Sequence, residues 1–202
     1  MKASETNIEL SLEDFERSVV HIAGLHAYEP DAERKTALFG VLAQVVQLLA
    51  AGGNAAAVLA ALPAIFDARM SAYGWCWNGF YVLRDDGKLH LGFSIGPPVC
   101  AELERSGGPL TSGMCFDGIL LNQTLVAADV ADWPGYVSCD AHSGLRTIGG
   151  IVSPLRDPDG KPLGVWDLDS TQTVTAGDGR FIGALFATLS KLLRLRASDL
   201  GA

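Results

Sequence analysis

The sequence has little basic charge. Of its 202 residues, 15 are Lys or Arg and 23 are Asp or Glu, which gives a formal net charge of −8. A field of that sign repels phosphate, and no local stripe of basic and aromatic side chains offsets it. We therefore expect small molecules or proteins as partners, and neither nucleic acid nor membrane.

The sequence also lacks a long, unbroken apolar run. Its most apolar stretch, residues 37–51, is interrupted by Gln44 and Gln47 and ends at Gly52-Gly53. A membrane-spanning helix needs about 20 apolar residues, so this stretch predicts a buried helix instead. The first ten residues contain no apolar core of a secretory signal, which predicts a cytoplasmic protein.

The amino-acid composition predicts one globular domain. Hydrophobic residues make up 49% of the chain and charged residues 19%, enough apolar surface to offset the entropy of ordering. The chain contains four cysteines. In a reducing compartment structural disulfides are rare, so catalysis, metal binding and core packing are the alternatives for these thiols.

Hydrophobic periodicity predicts helices at both ends of the chain. Helices are expected over residues 11–26, after a weak capping signal at Ser11, and over 31–51, where Gly52-Gly53 ends the pattern. An Ala-rich helix follows over 55–62, with Pro63 expected to start a new turn. An amphipathic helix is predicted over 178–195.

The middle of the chain predicts strands. Residues 75–83 and 89–95 form a hairpin around an Asp-Asp-Gly-Lys turn, with Leu89, Leu91, Phe93 and Ile95 on one face. Short helices are expected over 99–105 and 114–121, and strands over 125–130, 148–155 and 163–168. This order predicts an α+β fold, with a central antiparallel sheet, terminal helices on one face, and segment 96–147 over a ligand pocket on the other.

Three cysteines fall in that covering segment. Cys139 lies in an irregular loop, where exposure and a lowered pKa would make its thiol a nucleophile. Cys100 and Cys115 flank the same region, and a second thiol could resolve a sulfenic acid as a disulfide. We favour redox chemistry for these thiols over buried packing. Cys76, between two tryptophans in a strand, is taken as structural.

Two further uses of polar residues are open. Zinc could be held by the three cysteines with His90 or His142, although the spacing contains no close ligand pair of the usual finger type. Asp167 and Asp169 are two residues apart in a strand and point to the same side. They either serve a cation or a donor-rich ligand, or mark the fraying end of the strand.

The ordered motifs resemble the GAF-domain free methionine-(R)-sulfoxide reductases. The likeness covers about residues 55–190 and rests on the combination more than on any single piece. The motifs are Trp77-Asn78-Gly79-Phe80-Tyr81, Gly96-Pro97, Gly113-Met114-Cys115, Ala128-Asp129-Val130, Trp133-Pro134-Gly135-Tyr136, Ser138-Cys139-Asp140, Pro154-Leu155 and Leu163-Gly164-Val165-Trp166-Asp167-Leu168-Asp169-Ser170.

The resemblance implies an activity and a site. The family's substrate is the free amino acid sulfoxide, its reductant is thioredoxin, and it needs no metal or organic cofactor. By motif, Cys139 matches the catalytic cysteine, Cys100 the principal resolving cysteine and Cys115 a third redox cysteine. Trp77 and Tyr81 match aromatic residues that enclose the sulfoxide methyl group, and Asp167 and Asp169 match acidic residues around the polar end of the substrate.

The sequence departs from the family at one functional position. Where the family has a Ser-Glu pair that contacts the substrate, this chain has Gly149-Gly150 when counted from Pro154, or Arg146 when counted from Cys139. The substrate is therefore either free methionine-(R)-sulfoxide or a closely related small sulfoxide, and a GAF-type sensor with altered catalysis is the alternative. We divide the chain into an N-terminal tail and helix, residues 1–30, which could serve a homodimer, and a GAF-like domain, residues 31–202.

Overall fold

The computed structural model describes residues 11–24, 32–140 and 144–201. Six strands form an antiparallel sheet in the order β3-β2-β1-β6-β5-β4. The strands are β1 Trp75–Leu83, β2 Leu89–Ile95, β3 Glu102–Leu103, β4 Leu125–Ala127, β5 Gly149–Arg156 and β6 Pro162–Ser170. The helices are α1 Leu12–Ala23, α2 Ala32–Ala50, α3 Ala55–Met70, α4 Met114–Leu121 and α5 Ala176–Leu193. The predicted α+β architecture is confirmed.

The larger core lies between one face of the sheet and helices α1, α2, α3 and α5. Its centre is aromatic, because Phe66 and Phe186 lie 5.0 and 5.3 Å from Trp166, measured between ring centroids. Phe15 and Val19 of α1 are fully buried in the same cluster. The apolar face of α1 is therefore covered within the chain.

A buried ion pair ties α2 to the start of α5. The Arg34 guanidinium donates from Nε to Asp178 Oδ1 at 2.9 Å and lies 2.6 Å from Asp178 Oδ2. The Asp178 carboxylate also accepts the Thr175 backbone N–H, while Thr175 Oγ1 accepts the N–H of Asp178. This reciprocal capping box satisfies amides that the helix leaves unpaired at its first turn.

Helix α3 runs through Pro63 without a break, which corrects the expectation of a new turn there. With the 3-10 turn that follows, residues 55–73 are long and apolar enough to cross a membrane by length and composition alone. The core helices of many soluble proteins pass the same test. Here Leu59, Leu62 and Phe66 of this helix are fully buried in the core.

Two predicted elements differ from the structure. Residues 99–105 form no helix, and Glu102–Leu103 instead pairs with β2 as the short edge strand β3. The strand expected over 125–130 ends at Ala127, and a 3-10 turn follows over Val130–Asp132. Pairing with β2 decides the first conformation, whereas at the second the Asp129 side chain caps the 3-10 turn by accepting the Ala131 N–H at 2.9 Å.

A β-bulge in β2 changes which side its residues face. Tyr81 pairs with Leu91 while Gly79 pairs with Ser94, so β2 has one residue more than β1 across this interval. Leu89 and Leu91 consequently pack on the side away from the large helices, whereas Phe93 packs against the helical core. The prediction that these residues share one face is wrong for Phe93.

Candidate functional site

A pocket opens on the face of the sheet opposite the large helices. It is bounded by β1 and β6 below and by α4 and the segments on either side of α4 above, and it encloses a cavity of about 190 Å³. Since one water molecule needs only about 10–15 Å³ of such space, the cavity admits a ligand of amino-acid size. All seven site residues predicted from the sequence line it: Trp77, Tyr81, Cys100, Cys115, Cys139, Asp167 and Asp169.

Aromatic side chains of β1 form the floor. Trp77 and Tyr81 project to the same side because they are four residues apart in a strand, and their ring centroids are 5.9 Å apart. The Tyr81 hydroxyl donates to the backbone carbonyl of Cys100 at 2.8 Å. Burial raises the pKa of Tyr81, so this hydroxyl remains a donor at neutral pH. The floor is therefore bonded directly to the cysteine-bearing wall.

A disulfide joins Cys100 to Cys139 at the wall of the pocket, with Cα atoms 5.6 Å apart. The two cysteines lie on separate covering segments, 39 residues apart in sequence. Both are partly exposed. The arrangement shows that these two sulfur atoms can meet without disturbing the sheet.

Cys115 and Cys76 carry free thiols. Cys115, in the first turn of α4, hydrogen-bonds to the Asp167 carboxylate, and burial followed by the charge of Asp167 raises the pKa of its thiol well above the usual value. Cys76 donates to the backbone carbonyl of Asp169 at 3.3 Å, and burial raises its pKa to about 11. Both thiols are protonated at neutral pH and are weak nucleophiles in this state.

Two carboxyl groups lie side by side in the pocket. Asp167 and Asp169 pair across the strands with Gly79 and Trp77, respectively. Burial raises the pKa of Asp167 to about 6, against the opposing hydrogen bond from Cys115. Burial, then the charges of Asp167 and Asp140, raise the pKa of Asp169 well above its usual value. The pair can therefore hold a proton near neutral pH, which suits a general acid.

The covering wall contains residues that the sequence pattern did not single out. Met114, Phe116 and Val130 are buried there, and Tyr136 and Val137 lie nearer the mouth. Glu102 and Glu104 also line the mouth, where Lys88 Nζ lies 2.6 Å from Glu104 and 3.5 Å from Glu102. No local pattern in the sequence marks this edge, because the strand over Glu102–Leu103 forms only by pairing with β2.

A glycine lies in the pocket at the position where the resemblance implies a carboxylate. Gly150 lines the pocket and pairs with Asp169 across β5 and β6. A Cβ at Gly150 would lie 3.0 Å from Val130 Cγ1 and 3.5 Å from Met114 Sδ, so a side chain there would press against apolar atoms. Arg146 is exposed and does not line the pocket.

The histidines suggested as zinc ligands are not both described. His90 Nε2 lies 2.9 Å from Asp86 Oδ2, and His90 Nδ1 lies 3.4 Å from Glu102 Oε1, at the outer edge of the sheet. His142 lies outside the described residues. Within residues 11–24, 32–140 and 144–201, no group of three or more His, Cys, Asp or Glu side chains is arranged to hold a metal ion.

Three curated proteins are similar in sequence. "Protein YtsP" of Bacillus subtilis is 37% identical over 95 residues, 46% of this chain and 52% of that protein. The free methionine-R-sulfoxide reductase of Saccharomyces cerevisiae is 33% identical over 95 residues, 46% of this chain and 48% of that protein. The GAF domain-containing protein A of Dictyostelium discoideum is 30% identical over 130 residues, 64% of this chain and 74% of that protein. The chain thus spans about half the length of the first two relatives. No family model matches the chain.

Solved structures, among them the two that follow, are also similar in fold. The free methionine-R-sulfoxide reductase of Neisseria meningitidis, in complex with its substrate, has a TM-score of 0.65 and 28% identity, covering 82% of this chain and 92% of that one. A protein of Burkholderia vietnamiensis described as a GAF sensor has a TM-score of 0.64 and 26% identity, covering 79% and 98%.

Proposed function

The chain belongs to the GAF-domain free methionine-(R)-sulfoxide reductase family, and we propose that it reduces free methionine-(R)-sulfoxide or a closely related small sulfoxide. The observation that carries this proposal is the Cys100–Cys139 disulfide at the wall of a pocket with an aromatic floor and two carboxyl groups. A disulfide in that place supports the proposal, because a two-thiol reduction cycle would end in this oxidised form.

Cys139 is the nucleophile of the proposed cycle. Its thiolate attacks the sulfoxide sulfur, the carboxyl pair supplies a proton to the sulfoxide oxygen, and the sulfide leaves as Cys139 becomes a sulfenic acid. Cys100 then condenses with the sulfenic acid, forming the disulfide and releasing water. In the net reaction the sulfoxide and two thiols give the sulfide, one disulfide and one water molecule.

The remaining pocket residues orient the substrate in this proposal. Trp77 and Tyr81 present an apolar surface for the sulfoxide methyl group. Asp167 and Asp169 face the polar end, where an ionised carboxylate binds an ammonium group and a protonated one donates to oxygen. Cys115, protonated and bonded to Asp167, is the third cysteine of the site, and its free thiol supports assigning the resolving step to Cys100.

Thioredoxin is the proposed reductant, because its low potential suits reduction of an accessible disulfide. The same dependence on a dithiol reductant supports a cytoplasmic location. We also propose residues 31–202 as the GAF-like domain and residues 1–30 as an N-terminal extension. The homodimer suggested for that extension would have to use a face of α1 other than the one that Phe15 and Val19 bury.

A direct assay tests the activity. The protein is incubated with free (R)-methionine sulfoxide, thioredoxin, thioredoxin reductase and NADPH, and NADPH loss is followed, with the (S)-epimer in parallel. We expect consumption with the (R)-epimer and none above background for Cys139→Ser. Equal rates for wild type and Cys139→Ser would refute the proposed function.

A small-molecule sensor is the second candidate. Gly150 favours it, since glycine provides no third acidic side chain for the polar end of the pocket and the nearest side-chain atoms around it are apolar. The sensor hypothesis predicts that reduced protein binds the sulfoxide, seen by isothermal titration calorimetry, without oxidation of its thiols. Thiol counting after the titration separates the two hypotheses.

A further inference from the structure

Asp117 carries a buried carboxylate that the proposed cycle does not use. It lies in the first turn of α4, two residues after Cys115, and its side chain is fully buried. Oδ1 accepts the backbone N–H of Leu110 at 2.8 Å and that of Ser112 at 3.4 Å. Oδ2 accepts the indole N–H of Trp133 at 2.9 Å. One side chain therefore joins two separate covering segments.

The first segment is held in an unusual conformation. Leu110 has φ of +65°, in the left-handed region that residues other than glycine seldom occupy. Such a conformation persists only where its surroundings fix it. Here the Leu110 N–H is bonded to Asp117, and the Ser112 and Thr111 hydroxyls both donate to the Gly108 carbonyl. The carboxylate is thus one of the contacts that hold this turn in place.

The second segment packs directly on the first. A Cβ at Gly135 would lie 2.7 Å from Cα of Thr111, so the two backbones touch and only glycine fits. Trp133, bonded to Asp117, begins this segment, and Cys139 follows six residues later. Tyr136 and Val137, between them, line the pocket. The position of Trp133 therefore influences the position of Cys139 in the same segment.

The far end of the cysteine segment has a similar anchor. Asp140 accepts the Thr147 backbone N–H at 2.9 Å and the Thr147 hydroxyl at 2.6 Å. Between the two anchors, the Tyr136 N–H donates to the Trp133 carbonyl at 3.1 Å in a short turn. The two aspartates, Asp117 and Asp140, thus hold the segment at its ends, and Cys139 lies inside.

We infer that Asp117 is a positioning residue for the resolving step: through Trp133 it sets the segment that brings Cys139 within bonding distance of Cys100. It contacts neither thiol in this role. The resolving step is part of the proposed catalytic cycle, so this role rests on the proposed function. The rate at which Cys139 and Cys100 form the disulfide can nevertheless be measured without any sulfoxide.

The test uses hydrogen peroxide as the oxidant. Fully reduced protein is mixed with peroxide, which converts the Cys139 thiol to a sulfenic acid and releases water, and condensation with the Cys100 thiol then forms the disulfide and a second water molecule. Competition with dimedone, which traps the sulfenic acid, and mass spectrometry of the Cys139 peptide give the condensation rate.

Two variants remove the same contact in different ways. Asp117→Asn keeps an oxygen for Leu110 and Ser112 but turns an amide donor toward the indole N–H, while Trp133→Phe removes that N–H. We expect each to slow condensation about 2- to 10-fold, the rate equivalent of one net hydrogen bond. The double variant should be no slower than the slower single variant, because both changes break one bond.

Asp178→Asn is the matched control. It also changes a buried, fully paired carboxylate, but at the start of α5 in the helical core. We expect it to lower the melting temperature and leave the condensation rate unchanged in protein that remains folded by circular dichroism. If Asp117→Asn does not fold, Trp133→Phe alone decides.

Condensation in both site variants at the wild-type rate would overturn the inference, and so would equal slowing by Asp178→Asn. A protein with no sulfoxide reductase activity but with slowed condensation in the two site variants would refute the proposed function and leave the positioning role standing.

Discussion

Replacing Asp167 by Asn should make the protein more stable above pH 6 and less active. Ionising this carboxyl group in the folded state is unfavourable, because burial raises its pKa from 3.8 to about 6. At about 1.4 kcal/mol for each pKa unit, that difference corresponds to roughly 3 kcal/mol. Solvent at the mouth of the pocket screens part of this cost, so we expect about 2 kcal/mol.

The sign of the pH dependence follows from proton binding. Between pH 3.8 and about 6 the folded state holds the Asp167 proton while the unfolded state has released it. The wild type therefore loses stability from this group as pH rises through that window, and the variant lacks this loss. Removing the charge of Asp167 also lowers the pKa of Asp169, which that charge helps to raise, and so acts in the same direction.

Urea unfolding of the oxidised proteins at intervals from pH 4 to pH 8 measures this difference. The gap between variant and wild type should grow across the window and level off above it. Asp159→Asn, in the exposed turn before β6, is the control and should track the wild type. A gap that is constant with pH, or that favours the wild type at pH 7, would refute the electrostatic reasoning.

Two other predictions concern α1 and Cys115. Phe15→Ala should lower the free energy of unfolding by about 3–5 kcal/mol in urea denaturation, because Phe15 is fully buried in the main core. Ile22→Ala, on the exposed side of α1, should change it by less than about 0.5 kcal/mol, and similar small effects for both would show that α1 is a loose appendage. Cys115→Ser keeps a donor to Asp167, so steady-state turnover should stay within about threefold of wild type; a halt after one turnover would instead assign Cys115 to the resolving relay.

Elements defined by local chemistry could be predicted from the sequence. The Asp-Gly turn between β1 and β2 specifies a hairpin by its backbone preference alone, and Asn54 caps α3 by accepting the Ala57 N–H at 2.9 Å. The strand over Glu102–Leu103 could not be predicted in this way. Its residues carry no strong β preference, and its conformation comes from pairing with β2.

Some residues of the site could likewise be predicted from the sequence, and others depend on the folded chain. The three cysteines and the two aspartates of β6 stand out by residue type, spacing and resemblance, and the structure brings them to one pocket. Asp117 does not stand out. Many helices have an aspartate in the first turn, so the residue type alone does not mark Asp117. Its role becomes visible only in the folded chain, where Leu110, Ser112 and Trp133 all donate hydrogen bonds to its carboxylate.

The bulge in β2 lets one strand contribute to two different interiors. Leu91 faces the ligand side and Phe93, two residues later, faces the helical layer, an exchange that strict alternation forbids. The extra residue reverses the side to which the following residues of the strand point. If β2 paired with β1 without the bulge, Gly79 would lie opposite Phe93 instead of Ser94, and the Phe93 ring would face the pocket side. The register of this strand is thus as much a determinant of the binding face as the chemistry of the residues that line it.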